Sequence, residues 1–249
     1  MKVLLLAAGY ATRLYPLTLN TPKPLLSVAG RTVLEFIFDL IEPVKEVDEV
    51  FIVTNKKFYG NFRDWKKTFK SSKKITVLDD GSSSNETRLG ATGDIEFVIE
   101  KENVKDDLLV LAGDNLFRAD LSKFIDFSVS GRPYVTLGLY DIKELLLASR
   151  YGIVSVDKNN KVVDFKEKPA NPRSTLAAMC LYFFPKERLG IMKQYLGLDN
   201  SKDAPGYFLE WLYKKEDVFG YVFKDNLWFD TGDKKSLEEA DKEFRKEIQ

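Results

Sequence analysis

The sequence predicts a mixed α/β fold that begins with a parallel sheet and later adds antiparallel strands. In the first half, short β-rich runs alternate with segments of helical periodicity, which is typical of strand–helix–strand crossovers. The run Leu108–Ala112 is apolar throughout, as expected of a strand that is covered on both faces. From residue 134 onwards, strand-like runs follow one another with little helix between them. We therefore expect a single Rossmann-like mixed sheet with a parallel core and antiparallel additions.

The individual elements follow from periodicity and from the residues at their ends. Thr32 and Glu35 have the spacing of a capping box at the start of a helix. The buried face of that helix is predicted to consist of Val33, Phe36, Ile37 and Leu40. The predicted strands are Lys2–Ala8, Glu49–Thr54, Ile75–Leu78, Asp107–Ala112, Tyr134–Tyr140, Gly152–Asp157, Lys161–Lys168, Leu176–Phe184 and Val218–Phe223. The predicted helices are Thr32–Ile41, Asn61–Phe69, Gly90–Glu100, Lys186–Tyr195, Gly206–Lys215 and a charged terminal helix from about Lys234.

The composition excludes several classes of chemistry. The chain of 249 residues has no histidine, which excludes serine–histidine catalysis, cysteine–histidine catalysis and imidazole metal ligands. Its one cysteine, Cys180, excludes an intramolecular disulfide and a cysteine zinc site, and its apolar neighbours predict a buried structural thiol. The 38 basic and 38 acidic side chains balance, so no bulk positive field attracts nucleic acid or an anionic membrane. The chemistry must use carboxylates, lysine, arginine, backbone amides and oxygen-bound metal ions.

The location of the protein is predicted from its apolar runs. Residues 3–8 could be taken for a signal-peptide core, but this run is short and leads into a charged, proline-containing loop. No segment approaches the roughly 18 consecutive apolar residues of a membrane span. We expect a cytoplasmic protein that binds neither membranes nor nucleic acid.

A phosphate-binding loop is predicted after the first strand. There an apolar run ends in small residues and Gly9, and the cations Arg13 and Lys23 follow in one proline-rich segment. A glycine lets the backbone approach a phosphate closely, and fixed cations supply positive charge beside it. The pattern is neither a P-loop nor Gly-x-Gly-x-x-Gly, and the alternative is a loop that only turns the chain. A nucleoside triphosphate is the ligand that the pattern favours.

Two aspartates are candidate Mg²⁺ ligands, because Mg²⁺ favours one or two carboxylates together with phosphate oxygens. Asp114 follows the strand Leu108–Ala112, and Asp230 lies between an aromatic run and a glycine. The alternative for Asp114 is that it caps a turn. Near Asp230, the alternative is that Thr231 or Asp233 caps the terminal helix.

A further candidate site lies where Glu167 and Lys168 end a predicted strand before a proline. Neighbouring side chains on a strand point to opposite faces, so we expect no simple salt bridge between them. In the functional interpretation, Glu167 accepts substrate hydroxyls and Lys168 binds the substrate's phosphate. The alternative is an exposed strand edge that a proline terminates.

Several of these features follow parallel strands, and ligands of open α/β sheets bind at the carboxyl ends of such strands. The loop Gly9–Arg13, the segment Asp79–Gly93 and the residues Gly113–Asn115 all occupy such positions. We expect them to converge on one crevice.

Taken together, these residues resemble the sugar-1-phosphate nucleotidylyltransferases, the family of the glucose-1-phosphate thymidylyl- and uridylyltransferases. The matching motifs occur in family order up to about residue 240: Leu6–Arg13 with Pro22–Leu26, Gly113–Asn115, Tyr151–Gly152, Phe165–Pro169 and Trp228–Gly232. The short thymidylyltransferase form is the most similar, and we expect no fused acetyltransferase. The resemblance implies the nucleotide-diphospho-sugar transferase fold in a single domain, residues 1–249. Its nucleotide-binding part would be 1–130, its acceptor-binding part 131–232 and its C-terminal helix 233–249.

The resemblance also implies a Mg²⁺-dependent reaction, in which a sugar-1-phosphate oxygen attacks the α-phosphorus of a nucleoside triphosphate and pyrophosphate leaves. It favours dTTP or UTP, with CTP as a further candidate, and it leaves the sugar and any homo-oligomer open. Arg13, Lys23 and Lys168 would be the catalytic cations, and Asp114 and Asp230 the metal ligands. The nucleotide would contact Ala8, Gly9, Thr12, Asn85 and Gly90, and the sugar phosphate would contact Gly152, Glu167 and Lys168.

The chain departs from the family pattern at three places. Ala11 replaces the second glycine of Gly-x-Gly-Thr-Arg. Where the sugar-binding strand commonly ends in Asn…Thr-Gly, this chain has Thr175 and Met179–Cys180. The base-contacting segment is longer and serine-rich, with Asn85 as the nearest amide to the usual glutamine. Two alternatives stay open: a non-catalytic nucleotide-sugar-binding regulatory protein, and a cytidylyltransferase for a non-sugar phosphate such as phosphocholine. A glycosyltransferase is disfavoured, because the expected Asp-x-Asp is absent from the strand ends.

Overall fold

The computed structural model describes residues 1–198, 204–224 and 227–246. The strands are β1 (Lys2–Leu6), β2 (Ser27–Val28), β3 (Arg31–Thr32), β4 (Glu49–Thr54), β5 (Lys74–Asp79), β6 (Leu108–Ala112), β7 (Asn115–Phe117), β8 (Val135–Asp141), β9 (Gly152–Val156), β10 (Val162–Glu167), β11 (Leu176–Phe184), β12 (Val218–Phe223) and β13 (Trp228–Asp230). The α-helices are α1 (Val33–Ile41), α2 (Tyr59–Thr68), α3 (Gly90–Lys101), α4 (Leu121–Ser130), α5 (Leu145–Ala148), α6 (Ile191–Leu196), α7 (Pro205–Leu212) and α8 (Lys234–Arg245).

Two compact units interleave along the chain. The first unit comprises Lys2–Arg88, Leu111–Leu121 and Asn226–Gln249. The second unit comprises Leu89–Val110 and Ser122–Asp225, together with Met1. The predicted single domain, with its divisions at residues 130 and 232, stays a prediction.

The first unit contains the parallel strands. β4 pairs with both β1 and β5 in parallel register, and β4 is buried along its whole length. A strand with apolar residues on both faces needs cover on each side, which explains the continuous run Val50–Val53. The Phe38 ring of α1 lies 5.5 Å from the Trp65 ring of α2, so the two helices pack through aromatic contacts.

Helix α1 begins as predicted but buries a different face. Thr32 accepts a hydrogen bond from the Glu35 backbone N–H, and the Glu35 carboxylate accepts one from the Thr32 N–H, which completes the predicted capping box. The buried residues are Val33, Leu34, Ile37, Phe38 and Ile41, whereas the predicted face contained Phe36 and Leu40. Phe36 packs instead on Phe244 of α8, with ring centroids 4.8 Å apart. Because Phe36 contacts helix α8, the face of α1 that is buried in the core is rotated relative to the predicted face.

The second unit contains the antiparallel strands. Its strand order is β10-β9-β11-β8-β12, with antiparallel pairs throughout except the parallel pair of β8 and β12. The predicted hairpin between β9 and β10 is confirmed, and Asn160 in its turn adopts a φ of 64°. The mixed α/β class is thus confirmed, with parallel strands in the first unit and antiparallel additions in the second.

Strand β11 is bulged, and the bulge corrects the prediction for Cys180. Its register with β8 shifts between Ala178 and Tyr182, and Cys180 inside the bulge has a φ of 51°. The bulge turns Cys180 out of the regular alternation of side chains, so it is half-buried rather than fully buried. Gly138 on β8 accommodates the bulge, because a Cβ there would lie 2.8 Å from a methyl carbon of Leu181.

Several elements were missed or misjudged from sequence. The strand pair β7–β13, the hairpin β2–β3 and the helices α4 and α5 had no prediction. The predicted helix Lys186–Tyr195 is instead a 3₁₀ turn, Lys186–Arg188, followed by the short α6, because the chain changes its helical geometry near Gly190. In the part of the chain that the structure describes, no helix is long and apolar enough to cross a membrane.

Candidate active site

In the loop after β1, Ala11 has a left-handed backbone conformation and precedes a 3₁₀ turn, Thr12–Leu14. Ala11 adopts φ 47° and ψ 42°, a conformation that costs a residue with a Cβ about 1–2 kcal/mol. The buried Thr18 hydroxyl donates a hydrogen bond to the Ala11 carbonyl oxygen at 2.7 Å and holds this turn. The family's second glycine therefore corresponds to a real backbone requirement, which alanine meets at an energetic cost.

Lys23 is the buried cation of the site. It begins a 3₁₀ turn, Lys23–Leu25, in which the flanking Pro22 and Pro24 restrict the backbone. The residue is 7% exposed, and its Nζ lies 2.7 Å from Asp114 Oδ2 and 3.5 Å from Asp230 Oδ1. One ammonium group therefore faces two carboxylates and cannot neutralise both when all three groups are ionised; the exposed Arg13 guanidinium adds a weaker effect that lowers the pKa of Asp230.

The close approach of two backbone segments positions Asp114. The Gly113 N–H donates to the Leu6 carbonyl oxygen at 2.9 Å. A Cβ on Gly113 would lie 2.9 Å from that same oxygen, so a larger residue would push the two segments apart. The side chain of Asp114 pairs with Lys23, so the alternative of a turn cap does not apply.

Asp230 comes to the site from a distant part of the chain. Strand β13 pairs with β7 in antiparallel register, which sets Asp230 opposite Asn115. The Thr231 hydroxyl donates to the Asp114 carbonyl oxygen at 2.7 Å and fixes the same segment. Asp233 is the residue that caps α8, with Ser236 as its capping-box partner, so Asp230 has no capping role.

The pKa of the Asp230 carboxyl is raised above its usual range. Burial is the main cause; the Lys23 ammonium opposes the rise and the neighbouring Asp114 carboxylate adds to it. The raised pKa indicates that the attraction of Lys23 and Arg13 does not offset the lost solvation of the Asp230 carboxylate and its repulsion from Asp114.

A cavity of about 200 Å³ lies at these groups in the first unit. It is lined by Leu6, Ala7, Gly9, Ala11, Arg13, Lys23, Pro24, Asp114 and Gly232. Arg13 is exposed, so the two predicted cations differ: Lys23 is fixed and buried, and Arg13 is free to meet an approaching anion. The volume is below the roughly 300–1,000 Å³ of sites for whole small molecules, and fits one part of a ligand such as its phosphate chain.

The two carboxylates fit a Mg²⁺ ion. Mg²⁺ usually takes one or two protein carboxylates and completes its shell with water and phosphate oxygens. Both aspartates approach the same lysine nitrogen within 3.5 Å, and because one ammonium cannot neutralise two carboxylates, a bound cation would supply further positive charge there. Among the described residues, no group of three or more acidic, histidine or cysteine ligands occurs, so the remaining ligands would be water and substrate.

The loops that follow β4 and β5 form hydrogen bonds to the predicted phosphate-binding loop after β1. The Asn55 amide donates to the Ala8 carbonyl oxygen at 2.8 Å, and the Tyr10 hydroxyl donates to the Ser82 carbonyl oxygen at 3.2 Å. Of the three predicted strand-end features, the loop Gly9–Arg13 therefore contacts the beginning of the second feature at Ser82. The same loop lines one cavity together with Asp114 of the third feature. The part of the second feature at residues 90–93 belongs to the other unit, and its convergence stays a prediction.

The remaining predicted nucleotide contacts have separate settings. Thr12 is exposed at the start of the 3₁₀ turn. Asn85 is exposed and accepts a hydrogen bond from Arg88 at 2.6 Å, within its own loop. Gly90 begins α3 in the second unit with a φ of 76°, a conformation that suits glycine.

The predicted acceptor residues form a cluster in the second unit. Gly152 begins β9 opposite Glu167 of β10, and a Cβ on Gly152 would lie 3.0 Å from Glu167 Oε2. A Cβ on Gly206 of α7 would lie 1.8 Å from that oxygen, so the Glu167 side chain occupies space that two glycines provide. The side chain is 8% exposed, and burial raises its pKa, with the nearby Lys168 ammonium opposing the rise.

The expectation that Glu167 and Lys168 form no salt bridge is wrong. The Lys168 Nζ lies 3.7 Å from Glu167 Oε1. Strand β10 ends at Glu167, and Lys168 adopts a φ of 46°, so the alternation of an extended strand no longer applies to this pair. The left-handed turn brings both side chains to the same side, and Lys168 keeps an exposed ammonium there.

Sequence reasoning missed three residues that support these sites, Thr18, Asn55 and Gly206, and it considered Thr231 only as a helix cap. Asn55 directly follows a parallel strand, and that position could have identified it as Asp114 was identified. Thr18 and Thr231 are each 0% exposed and act through single hydroxyl groups, for which the sequence carries no periodic signal. Gly206 contributes by lacking a Cβ, which leaves room for the Glu167 carboxylate, and this contact is visible only in a structure.

Residues 2–247 match the family model described as nucleotidyl transferase, and the chain belongs to this family. A Bifunctional protein GlmU from Methanocaldococcus jannaschii is 28% identical over 97% of this chain and 54% of its own length. A protein assigned as a mannose-1-phosphate guanyltransferase, from Sulfolobus acidocaldarius, is 30% identical over 93% of this chain and 60% of its own length. The chain therefore spans little more than half of these relatives.

A solved structure shows the same fold. It is that of a protein assigned as a glucose-1-phosphate thymidylyltransferase from Bacillus anthracis, in complex with a sucrose. The TM-score is 0.76 at 21% identity, over 98% of this chain and 95% of the other. The nucleotide-diphospho-sugar transferase fold expected from the sequence is thereby confirmed.

Proposed function

We propose that this chain transfers a nucleotidyl group from a nucleoside triphosphate to a sugar-1-phosphate, giving a nucleotide-sugar and pyrophosphate in a Mg²⁺-dependent reaction. The observation that carries the proposal is the contact of one buried ammonium, Lys23, with two carboxylates, Asp114 and Asp230, beside the left-handed loop at Ala11. Membership of the nucleotidyl transferase family supports this class of chemistry. The names of the relatives, one of them a mannose-1-phosphate guanyltransferase, support a sugar phosphate as the acceptor.

No protein nucleophile is needed for this reaction. An oxygen of the sugar phosphate attacks the α-phosphorus, the bond to the bridging oxygen breaks, and pyrophosphate leaves with the electron pair. Lys23 and Arg13 bind the triphosphate and neutralise charge that develops on its oxygens. Mg²⁺, when held by Asp114 and Asp230, supplies further positive charge to the phosphate oxygens. A chain without histidine is sufficient for such chemistry, because positioning and electrostatics do the work.

The acceptor and nucleotide contacts complete the proposal. Lys168 binds the phosphate of the sugar-1-phosphate, and Glu167 accepts hydrogen bonds from sugar hydroxyls beside Gly152. The Ala8–Gly9 backbone, Thr12, Asn85 and Gly90 meet the base and ribose. Thymine or uracil is the proposed base, with cytosine as the second candidate; the relatives' names do not single out one of them.

The experiment is a pyrophosphate-release assay with four nucleoside triphosphates and several sugar-1-phosphates, with and without Mg²⁺. We expect turnover with at least one pair of substrates, and a loss of about a hundredfold or more in Asp114→Asn. Asp64→Asn removes an exposed carboxylate that pairs with Lys67, and serves as the matched control. Equilibrium binding of nucleotide-sugars without turnover would instead support the non-catalytic alternative, and turnover with CTP and phosphocholine alone would support the other.

A further inference from the structure

A second charged cavity lies between α2 and β5 in the first unit. Its volume is about 310 Å³, and it is lined by Tyr59, Arg63, Lys66, Lys67 and Val77. The four helical residues lie on one face of α2, because they are separated along the chain by four, three and one positions. Phe62, on the adjacent face of the helix, is the residue of α2 that is fully buried in the core, so core packing does not require the exposed cations at the cavity.

The cations of this cavity are incompletely neutralised. Lys67 pairs with Asp64 at 2.7 Å, and both side chains are exposed. The Arg63 guanidinium lies 5.8 Å from the centre of the Tyr59 ring, and in the part of the chain that the structure describes it forms no salt bridge; its acidic neighbour Asp64 pairs with Lys67 instead. Lys66 likewise has no ion pair or hydrogen bond within that part. Like charges one turn apart on a helix repel each other, so these positions favour an anion between them.

The surrounding sequence concentrates positive charge at this place. Residues 56–74 contain eight lysines and arginines and one aspartate, a net charge of +7, whereas the chain as a whole balances 38 basic against 38 acidic groups. Two of the eight cations have partners away from the cavity. Lys73 donates a hydrogen bond to the Val44 carbonyl oxygen, and Lys74 forms a salt bridge with Glu49, each at 2.7 Å. Of the other six cations, Arg63, Lys66 and Lys67 line the cavity.

We propose that this cavity binds a small anion that carries two or more phosphate charges. Arg63 and Lys67 are four residues apart, about 6 Å along the helix axis, which suits a diphosphate or triphosphate group. An arginine offers two parallel donors to a phosphate, and each lysine adds a point charge. The volume is at the low end of small-molecule sites, which favours a compact phosphate compound over a nucleic acid strand that needs a longer basic track. None of the residues that line this cavity lines the cavity at Lys23.

The test uses inorganic pyrophosphate without divalent ions, followed by backbone amide NMR and calorimetry on the full chain. We expect shifts for residues 63–67 and Val77, and a separate set at residues 9–13 that belongs to the proposed catalytic site. The double variant Arg63→Gln with Lys66→Gln should lower affinity for the α2 site at least about tenfold, because two charge-assisted contacts are lost. Glutamine keeps the helix propensity of α2.

The matched control is Lys235→Gln with Lys242→Gln on α8, which removes two exposed lysines from a helix that also carries acids. Affinity at the α2 site should change by less than about twofold in this control. Pyrophosphate shifts confined to residues 9–13, or equal losses in the two double variants, would overturn the proposal. Tighter binding of a single-stranded oligonucleotide with the same dependence on Arg63 and Lys66 would also overturn it. Neither residue belongs to the proposed catalytic site, so turnover of the variant is assessed separately.

Discussion

Replacing Asp230 by asparagine is expected to stabilise the protein at neutral pH while it abolishes most turnover. At the 3.5 Å between Lys23 Nζ and Asp230 Oδ1, the attraction is roughly 5 kcal/mol at an effective dielectric constant of about 20. The attraction between Lys23 Nζ and Asp114 Oδ2, which are 2.7 Å apart, is roughly 6 kcal/mol at the same effective dielectric constant. The pKa of Asp230 is nevertheless raised, so burial and the repulsion from the Asp114 carboxylate together outweigh the attraction to Lys23 and Arg13.

The sign of the stability change follows from that raised pKa. The folded state holds the Asp230 proton more tightly than the unfolded state, so the ionised carboxylate opposes folding above the folded-state pKa. This cost is relieved as the pH falls through the folded-state pKa. The side chain is 37% exposed and thus partly screened, so we expect a gain of only about 0.5–1 kcal/mol at neutral pH. The melting temperature should rise by about 1–4 °C for a chain of this size.

Thermal denaturation at neutral and acidic pH without metal measures the stability change, and pyrophosphate release with saturating Mg²⁺ measures activity. We expect the difference in melting temperature to disappear in acid, and turnover to fall about a hundred- to a thousandfold. Asp64→Asn is the control for the loss of a carboxylate on the surface. A variant that is more than about 1 kcal/mol less stable at neutral pH would show that the attraction to Lys23 dominates. Retained turnover would refute the metal-binding role.

Three further substitutions test the loop and the acceptor cluster. Ala11→Gly should raise stability by about 0.5–1 kcal/mol in thermal denaturation, because relief of the left-handed conformation exceeds the entropic cost of glycine; a less stable variant contradicts this account. Gly206→Ala should displace the Glu167 carboxylate, since the new Cβ would lie 1.8 Å from Oε2, and steady-state kinetics should show a higher KM for the sugar-1-phosphate alone. An equal rise in the KM of the nucleotide would indicate general damage to the fold. Lys168→Asn tolerates the φ of 46° and removes the charge, so the same KM should rise about tenfold, and an unchanged KM would exclude the phosphate contact.

Local signals in the sequence predicted the regular elements well. The capping box at Thr32 and Glu35 marked the start of α1, and the apolar runs at Glu49–Thr54 and Leu176–Phe184 matched β4 and β11 to the residue. Helix α4 could also have been predicted, because Leu121, Phe124 and Ile125 have helical spacing and are buried.

Features that depend on distant contacts were not predictable in the same way. The pairing of β13 with β7 joins two three-residue strands that are far apart in sequence, and neither carries a periodic pattern of its own. The sequence identified Asp230 as a candidate ligand, but not its shared contact with Lys23 and Asp114. For Glu167 and Lys168, the strand rule failed because the strand ends between them and the chain turns left-handed.

The link between β7 and β13 has a consequence for synthesis of the protein on the ribosome. The Thr231 hydroxyl bonds to Asp114 across a separation of 117 residues. At about 5–20 residues per second, a nascent chain that has completed Asp114 takes roughly 6–23 s to reach that threonine. During this interval Lys23 and Asp114 are already present and can neutralise each other one to one. Asp230 follows the last segment of the second unit, so the site acquires its second carboxylate only after the whole second unit has been synthesised and shortly before helix α8.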